Sequence, residues 1–435
     1  MAGPAVAEGR RAWSIVAALA VTETVSWGIL YYGFTAFLQP VSDDLGWSRG
    51  SMSAAFSVAL LVQGAAAMVV GRWLDRHSPR MLMTVGSVAA TVGVVAWSQV
   101  DRLWAFVVLW ALLGGVMSTI LYEPAFTVVT KWFREGRRRA LTAVTLVAGL
   151  ASTIFLPLEN WLIETYGWRN ALLILAVLLG VITVPLHALV LRTPPDPLPV
   201  PVAPAPVVPV GAAPGPGAQA SSDGIDVAGG GDADVRSAVR SARFWFLAGA
   251  FVASSFVTSA LAVHQVALFV DAGHPAAFAA GATGALGAMQ LPGRLLFAPL
   301  ERWLSRRATT VVVFGALNVG VAVLAVSTSV AAVWTFVVLY GMGRGMSTLL
   351  RATLVADLFG ATNYGAIGGV LSACTTVATA AGPLVAGLLF DLSGNYDRLL
   401  FGLVGLAAVA VVFSALVERP RLVPGAGRRG VPSAT

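Results

Sequence analysis

The chain has 435 residues, of which 57% are hydrophobic and only 11% are Asp, Glu, Lys or Arg. A soluble domain carries about 25% charged residues, so this composition argues against a soluble enzyme, a nucleic-acid binder and a disordered chain. The single cysteine, Cys374, excludes an internal disulfide and a cysteine metal cluster, while the net charge of +7 would suit an acidic partner unless its placement explains it.

A membrane-spanning helix needs about 20 mostly apolar residues. In chain order the sequence offers twelve such runs, at 13–38, 51–70, 81–99, 103–130, 140–163, 169–191, 244–270, 276–300, 309–329, 331–354, 364–390 and 399–417. The first is too long for a signal-peptide core and has no small-residue cleavage site, so it is read as a span. Between the sixth and seventh runs, a proline-rich stretch gives way to Gly, Ala, Ser and Asp. Such a composition cannot bury a core and reads as a disordered linker. The expected organisation is a six-helix half over 1–191, a cytoplasmic linker over 192–243, a second six-helix half over 244–418 and a cytoplasmic tail over 419–435.

The basic residues give an orientation. Of 28, Arg49, Arg102, Arg169 and Arg398 fall at one set of span ends, Arg294, Arg344 and Arg351 lie within spans, and the other 21 fall at the opposite ends or in the linker and tail. The crowded side is read as cytoplasmic, with both termini on it. The positive charge then orients the chain in a lipid bilayer and implies no nucleic acid. The two halves also echo one another at a constant offset of 226 residues: Asp75-Arg76 falls on Glu301-Arg302, Gly115 on Gly341, Phe133 on Phe359 and Pro157 on Pro383. A duplicated six-helix unit explains this, and repeated halves around a midplane site are a common plan of secondary transporters. The fold class expected is an all-α membrane protein, twelve transmembrane helices in two pseudo-symmetric six-helix halves.

Charges inside a bilayer are costly and rarely face lipid. Six lie within the predicted spans: Glu23, Glu123, Glu159, Arg294, Arg344 and Arg351. Arg344 lies about 20 Å along the tenth span at 1.5 Å per residue, near the midplane. A guanidinium can hold a carboxylate through two parallel hydrogen bonds, so Arg294 and Arg344 are candidate anchors for an organic anion, or else structural partners of an acid such as Glu123. Glu23 and Glu123 are candidate proton-coupling groups. Pro124 is expected to weaken the fourth span. Glu159 lies near a span end and reads as a charge at the water interface. His264, beside Gln265 in the seventh span, is a candidate substrate or proton group. No metal-ligand spacing, phosphate loop or catalytic constellation stands out, so no cofactor, no metal and no enzyme activity are expected.

The loop after the second span, Gly71-Arg72-Trp73-Leu74-Asp75-Arg76-His77-Ser78-Pro79-Arg80, resembles the Major Facilitator Superfamily signature G-x-L-x-D-R-x-G-R-R. Gly71, Asp75, Arg76 and Arg80 match; Ser78 replaces a usual glycine. In that family the loop acts as a conformational latch, and spans one, four, seven and ten line the central cavity. Within the family, Asp43-Asp44-Leu45-Gly46-Trp47-Ser48-Arg49, Lys131-Trp132-Phe133 and Ala356-Asp357-Leu358-Phe359-Gly360 look like the monocarboxylate porters and oxalate/formate antiporters. The chain departs from the animal carriers in three places, the first being that their acidic, Gly- and Trp-rich signature is missing at the start of span one. Tyr31 and Tyr32 lie where those carriers use a basic residue in span one, and their Asp-x-x-x-Arg pair appears as Gln290 and Arg294. The substrate-binding candidates are thus Arg294, Arg344, Tyr31, Tyr32, His264 and Gln290. The resemblance implies a monomeric secondary transporter of the plasma membrane, moving a small solute, a carboxylate by preference, with protons as the coupling ion. The alternatives are efflux of a hydrophobic drug or secondary metabolite and a solute sensor without transport.

Overall fold

A computed structural model describes residues 10–133, 136–191, 235–359 and 364–417. Among these, the chain forms twelve helices long enough to span a bilayer: α1 (Arg10–Leu45), α2 (Arg49–Arg76), α3 (Pro79–Ser98), α4 (Leu103–Trp132), α5 (137–166), α6 (168–190), α7 (Ala242–Asp271), α8 (Ala276–Trp303), α9 (Arg306–Val326), α10 (Val330–Phe359), α11 (Tyr364–Ser393) and α12 (Asp397–Leu416). Helices are one of two backbone arrangements that satisfy every N–H and C=O inside lipid. Their ends follow local chemistry. Gly46 closes α1 in the left-handed region at φ 65°, as a terminal glycine does. Ser48 caps α2 by accepting from the Ser51 N–H, and Ser241 caps α7 by accepting from the Phe244 N–H. Gly167, at φ 75° and ψ 158°, is the corner between α5 and α6, where a side chain would be strained. Residues Val235–Arg240, within the stretch expected to be linker, form a short helix leading into α7; residues 192–234 and 418–435 of the expected linker and tail lie outside the described residues.

Besides the π-helical turn Leu186–Val190 that ends α6, three spans deviate from simple helices in their interiors. In α1, Trp27–Tyr32 forms a π-helical turn between two α-helical segments. α4 breaks at Leu121, three residues before Pro124. Proline has no N–H for the carbonyl four residues back and its ring crowds that carbonyl. α5 is interrupted at Gly149-Leu150.

The packing obeys one rule. In the first half α2 packs on α4, α3 on α4 and α6, and α1 on α5 and α6; in the second half α8 packs on α10, α9 on α10 and α12, and α7 on α11 and α12. Adding six to each helix of the first set gives the second. Between the halves, α2 packs on α11 and α5 on α8, a pairing that the same operation exchanges. The duplicated unit inferred from sequence is therefore a structural repeat. Close approach comes from glycine: a Cβ on Gly114 would meet the Ala59 backbone, on Gly293 the Met342 backbone and on Gly345 the Gln290 backbone. Lipid gives no hydrophobic drive between helices, so such contact is what holds them. Large apolar side chains such as Leu112, Val181, Leu189 and Trp303 point outward, as a lipid-facing surface requires.

The bundle has two faces. We call proximal the one carrying the start of α1, the α2–α3 turn and the start of α7, and distal the one carrying the α1–α2, α7–α8 and α11–α12 turns.

Candidate functional site

The centre of the bundle collects polar groups from both halves. The π turn of α1 carries Trp27, Tyr31 and Tyr32; the Trp27 ring lies 5.1 Å from that of Tyr31 and 5.0 Å from that of Tyr122 on α4. Trp27 Nε1 donates to Glu23 Oε2 at 3.1 Å. Glu23 is fully buried, and its Oε1 has no hydrogen-bond partner among the described residues. The Tyr31 hydroxyl is buried in the same condition.

From the other half comes Arg294 on α8, whose Nε and Nη2 are buried without a hydrogen-bond partner among the described residues. Arg294 is within electrostatic reach of Tyr122, Arg344 and Tyr32. Arg344, on α10 and 9% exposed, is in turn within reach of Tyr31 and Tyr340. The structure thus brings together four of the sequence candidates, Arg294, Arg344, Tyr31 and Tyr32, and adds Trp27, Tyr122 and Tyr340. Two buried guanidiniums beside phenol hydroxyls make an electropositive centre in a low dielectric, where opposite charge binds strongly. Gln290 is buried one turn before Arg294, with its backbone pressed by Gly345. Glu123 is half-buried in the first turn after the α4 break, where an acid complements the helix N-terminus.

His264 lies elsewhere, in a network at the distal end. Its Nε2 is 3.1 Å from the Pro383 carbonyl and 3.0 Å from Ser53 Oγ, and its Nδ1 is 2.9 Å from the Tyr396 hydroxyl. A carbonyl only accepts, so Nε2 bears the hydrogen and Nδ1 accepts from Tyr396. The Tyr396 oxygen accepts from Arg49 Nη1 at 3.1 Å, and Arg49 makes a two-bond salt bridge to Asp271. The carboxylate of Asp271 supplies the counter-charge that the buried Arg49 guanidinium needs. Burial pushes the Tyr396 phenol up, with Arg49 opposing. The Gly50 N–H donates to Asp391 Oδ2 at 3.0 Å, and a Cβ on Gly387 would lie 2.7 Å from the Gly50 Cα. Thr35 Oγ1 donates to the Ala262 carbonyl at 2.7 Å, and Thr153 Oγ1 to that of Gly284 at 2.7 Å. All of these contacts except those of His264 with Pro383 and Tyr396 join one half to the other.

Sequence reading assigned no function to Arg49, Asp271, Tyr396 or Ser53. The one signal was rarity: Arg49 is among four basic residues at the sparsely charged span ends. Glu159 corrects an expectation. It is fully buried against Gly33 of α1, not at a water interface, because it faces the neighbouring helix while nearby Tyr166 and Trp161 face outward. At the proximal latch, Gly71 and Arg80 are exposed, and the side chains of Asp75 and Arg76 lie outside the described residues. The α2 end is held within its own half, where Lys131 Nζ donates to the Leu74 carbonyl at 2.7 Å.

Comparison with known proteins accords with this architecture. The family model described as Major Facilitator Superfamily matches residues 18–383. The oxalate:formate antiporter of Oxalobacter formigenes is 27% identical over 163 residues, 38% of each chain, so the match spans under two fifths of that relative. Monocarboxylate transporter 12-B of Danio rerio is 27% identical over 355 residues, 79% of this chain and 73% of its own. A bacterial homolog to the human lysosomal transporter Spinster, solved in an inward-facing and unoccupied conformation, superimposes with a TM-score of 0.66 at 16% identity, covering 94% of this chain and 95% of the other. The antiporter and the monocarboxylate transporter fall in the branch that the sequence resembled, and the chain, a multi-pass membrane protein, belongs to the Major Facilitator Superfamily of transporters.

Proposed function

We propose that the chain is a secondary transporter that moves a small organic anion, monocarboxylate-like, by alternating access across the cell's inner membrane, with the proximal face cytoplasmic. The observation that carries the reading is Arg294, whose two buried nitrogens lack partners among the described residues, within electrostatic reach of Arg344 at the junction of the halves. A desolvated guanidinium is costly unless an acceptor meets it, and a carboxylate can accept from two N–H groups at once. The relatives, an oxalate:formate antiporter and a monocarboxylate transporter by name, support the same solute class. An uncharged hydrophobic drug would leave the two buried Arg294 nitrogens without an acceptor, so efflux is the poorer fit. The cross-half bonds at the distal end support reading this state as closed on that side. Glu23 and Glu123 remain the proposed groups for proton coupling, and Gly71, Asp75, Arg76 and Arg80 the proposed latch, in a transporter taken as monomeric.

The test is carboxylate counterflow in proteoliposomes. Arg294→Ala and Arg344→Ala are each expected to abolish flux while leaving folded protein in the membrane. If both variants keep wild-type flux, the anion site is not here.

A further inference from the structure

Glu159 lies in the distal part of α5, outside the central site. It has no solvent exposure, and neither carboxyl oxygen has a hydrogen-bond partner among the described residues. Two glycines of α1 shape its surroundings. A Cβ on Gly28 would collide with the Phe155 ring, one turn before Glu159, and a Cβ on Gly33 would lie 3.1 Å from Glu159 Oε1. Gly28 lies within the π turn that presents Tyr31 and Tyr32, and Gly33 follows it directly. Cross-half contacts close around the same place. Pro157, two residues before Glu159, lies near Gly284 of α8, and Thr35, two residues after Gly33, donates to the Ala262 carbonyl of α7.

The slot offers an ionised carboxylate nothing. Such a group loses its water and must be repaid by donors or a counter-charge. The titratable groups on the central and distal parts of the helices around it are Glu23, Tyr31, Tyr32, Asp43 and Asp44 on α1, Glu164 and Tyr166 on α5 itself, Arg169 on α6, Arg294 on α8, and His264 and Asp271 on α7. None of them hydrogen-bonds either oxygen of Glu159. A neutral carboxyl, keeping its proton on one oxygen, fits the packed slot. An ionised one fits only when the helices part and water enters.

We propose that Glu159 is a proton-binding site that controls closure of the distal end: the end closes when Glu159 carries a proton, and opening lets the proton leave to distal water. This rests on the alternating-access reading but not on the identity of the solute. A high proton activity on the distal side then favours the closed state, and raising the pH there favours opening.

The experiment uses the full chain in liposomes without any anion, with Cys374→Ser and a reporter cysteine in place of Thr35, which is buried between the halves here. Reaction of the reporter with a membrane-impermeant thiol reagent reads distal opening. Labelling is expected to rise about tenfold from about pH 5 to pH 8. Glu159→Gln should hold it low and flat, Glu159→Asp should keep a pH dependence with a displaced midpoint, and His264→Gln should keep the dependence. Flat labelling in the parent protein, or an unchanged pH profile in Glu159→Gln, overturns the proposal, as does a dependence that disappears with His264→Gln. Gly387→Val, which wedges the distal contact apart, should label fast at every pH. If it does not, the distal-gate reading falls and this proposal with it. Loss of carboxylate flux by Arg294→Ala bears on the solute alone, so the two failures are distinguishable.

Discussion

The distal end and the centre of this bundle use the same residue types in opposite ways. At the distal end Arg49 meets Asp271 and Tyr396, Tyr396 meets His264, and His264 meets Ser53 and the Pro383 carbonyl, a chain of partners from α2 to α7 and α11. In the centre Arg294 Nε and Nη2, Glu23 Oε1 and the Tyr31 hydroxyl are buried without partners among the described residues. Satisfied polar groups hold one arrangement, because breaking a bond exposes the full desolvation cost of each partner. The distal network therefore ties the two halves together, while the central groups are the ones proposed to meet the solute.

The sharpest way to break this contrast is to forbid the distal contact sterically. A valine at Gly387 would place atoms inside the Gly50 and Arg49 backbones, since even a Cβ would lie 2.7 Å from the Gly50 Cα and 2.8 Å from the Arg49 carbonyl oxygen. Backbone cannot move aside without separating α2 from α11. Gly387→Val is expected to abolish net transport while leaving the central arginines able to bind, which a thermal-shift titration with carboxylates would register. Unimpaired transport would show that this contact need not form.

The next largest effect lies in the centre. Losing the buried partner of an anion costs about 2–5 kcal/mol, so Arg294→Ala should weaken carboxylate binding by about 100-fold by isothermal titration. Arg294→Lys keeps the charge without the planar fork and should recover about a tenth of that loss. Equal losses for Ala and Lys would mean that fork geometry carries the binding; full recovery by Lys would mean that charge alone does.

Much of this was legible in the sequence, for reasons that also set its limits. Span count and repeat come from runs of apolar residues and from matches such as Pro157 with Pro383, which are local or periodic signals. Scarcity of charge pointed to Arg294 and Arg344, because a bilayer makes every retained charge conspicuous. Pairing at a distance left no such trace: Arg49 and Asp271 are 222 residues apart, and Arg49 and Tyr396 are 347 apart. Glu159 was misread because position along a span says nothing of which side of the helix a residue occupies. The slot that buries it is made by Gly33 on another helix, and a glycine's missing side chain marks no partner. The π turn in α1 was equally silent, since its residues are ordinary helix-span residues until packing widens them.

Two smaller changes grade the distal network from its charged end to its neutral one. Asp271→Asn leaves the buried Arg49 with an acceptor but no counter-charge; because the Asp271 side chain is 29% exposed, water softens the loss to about 1–2 kcal/mol, or about tenfold more distal labelling at Thr35→Cys. Tyr396→Phe removes a hydroxyl that accepts from Arg49 and donates to His264. Arg49 keeps Asp271, and His264 keeps Ser53 and Pro383 at Nε2 while its Nδ1 loses a neutral donor, so the cost is about 1 kcal/mol, and labelling should rise about fivefold. A larger effect for Tyr396→Phe than for Asp271→Asn would reverse the ranking. It would place the strength of the closed end in the tyrosine–histidine link, where loss of one hydroxyl uncouples α2 and α7 from the α11–α12 turn, and not in the ion pair.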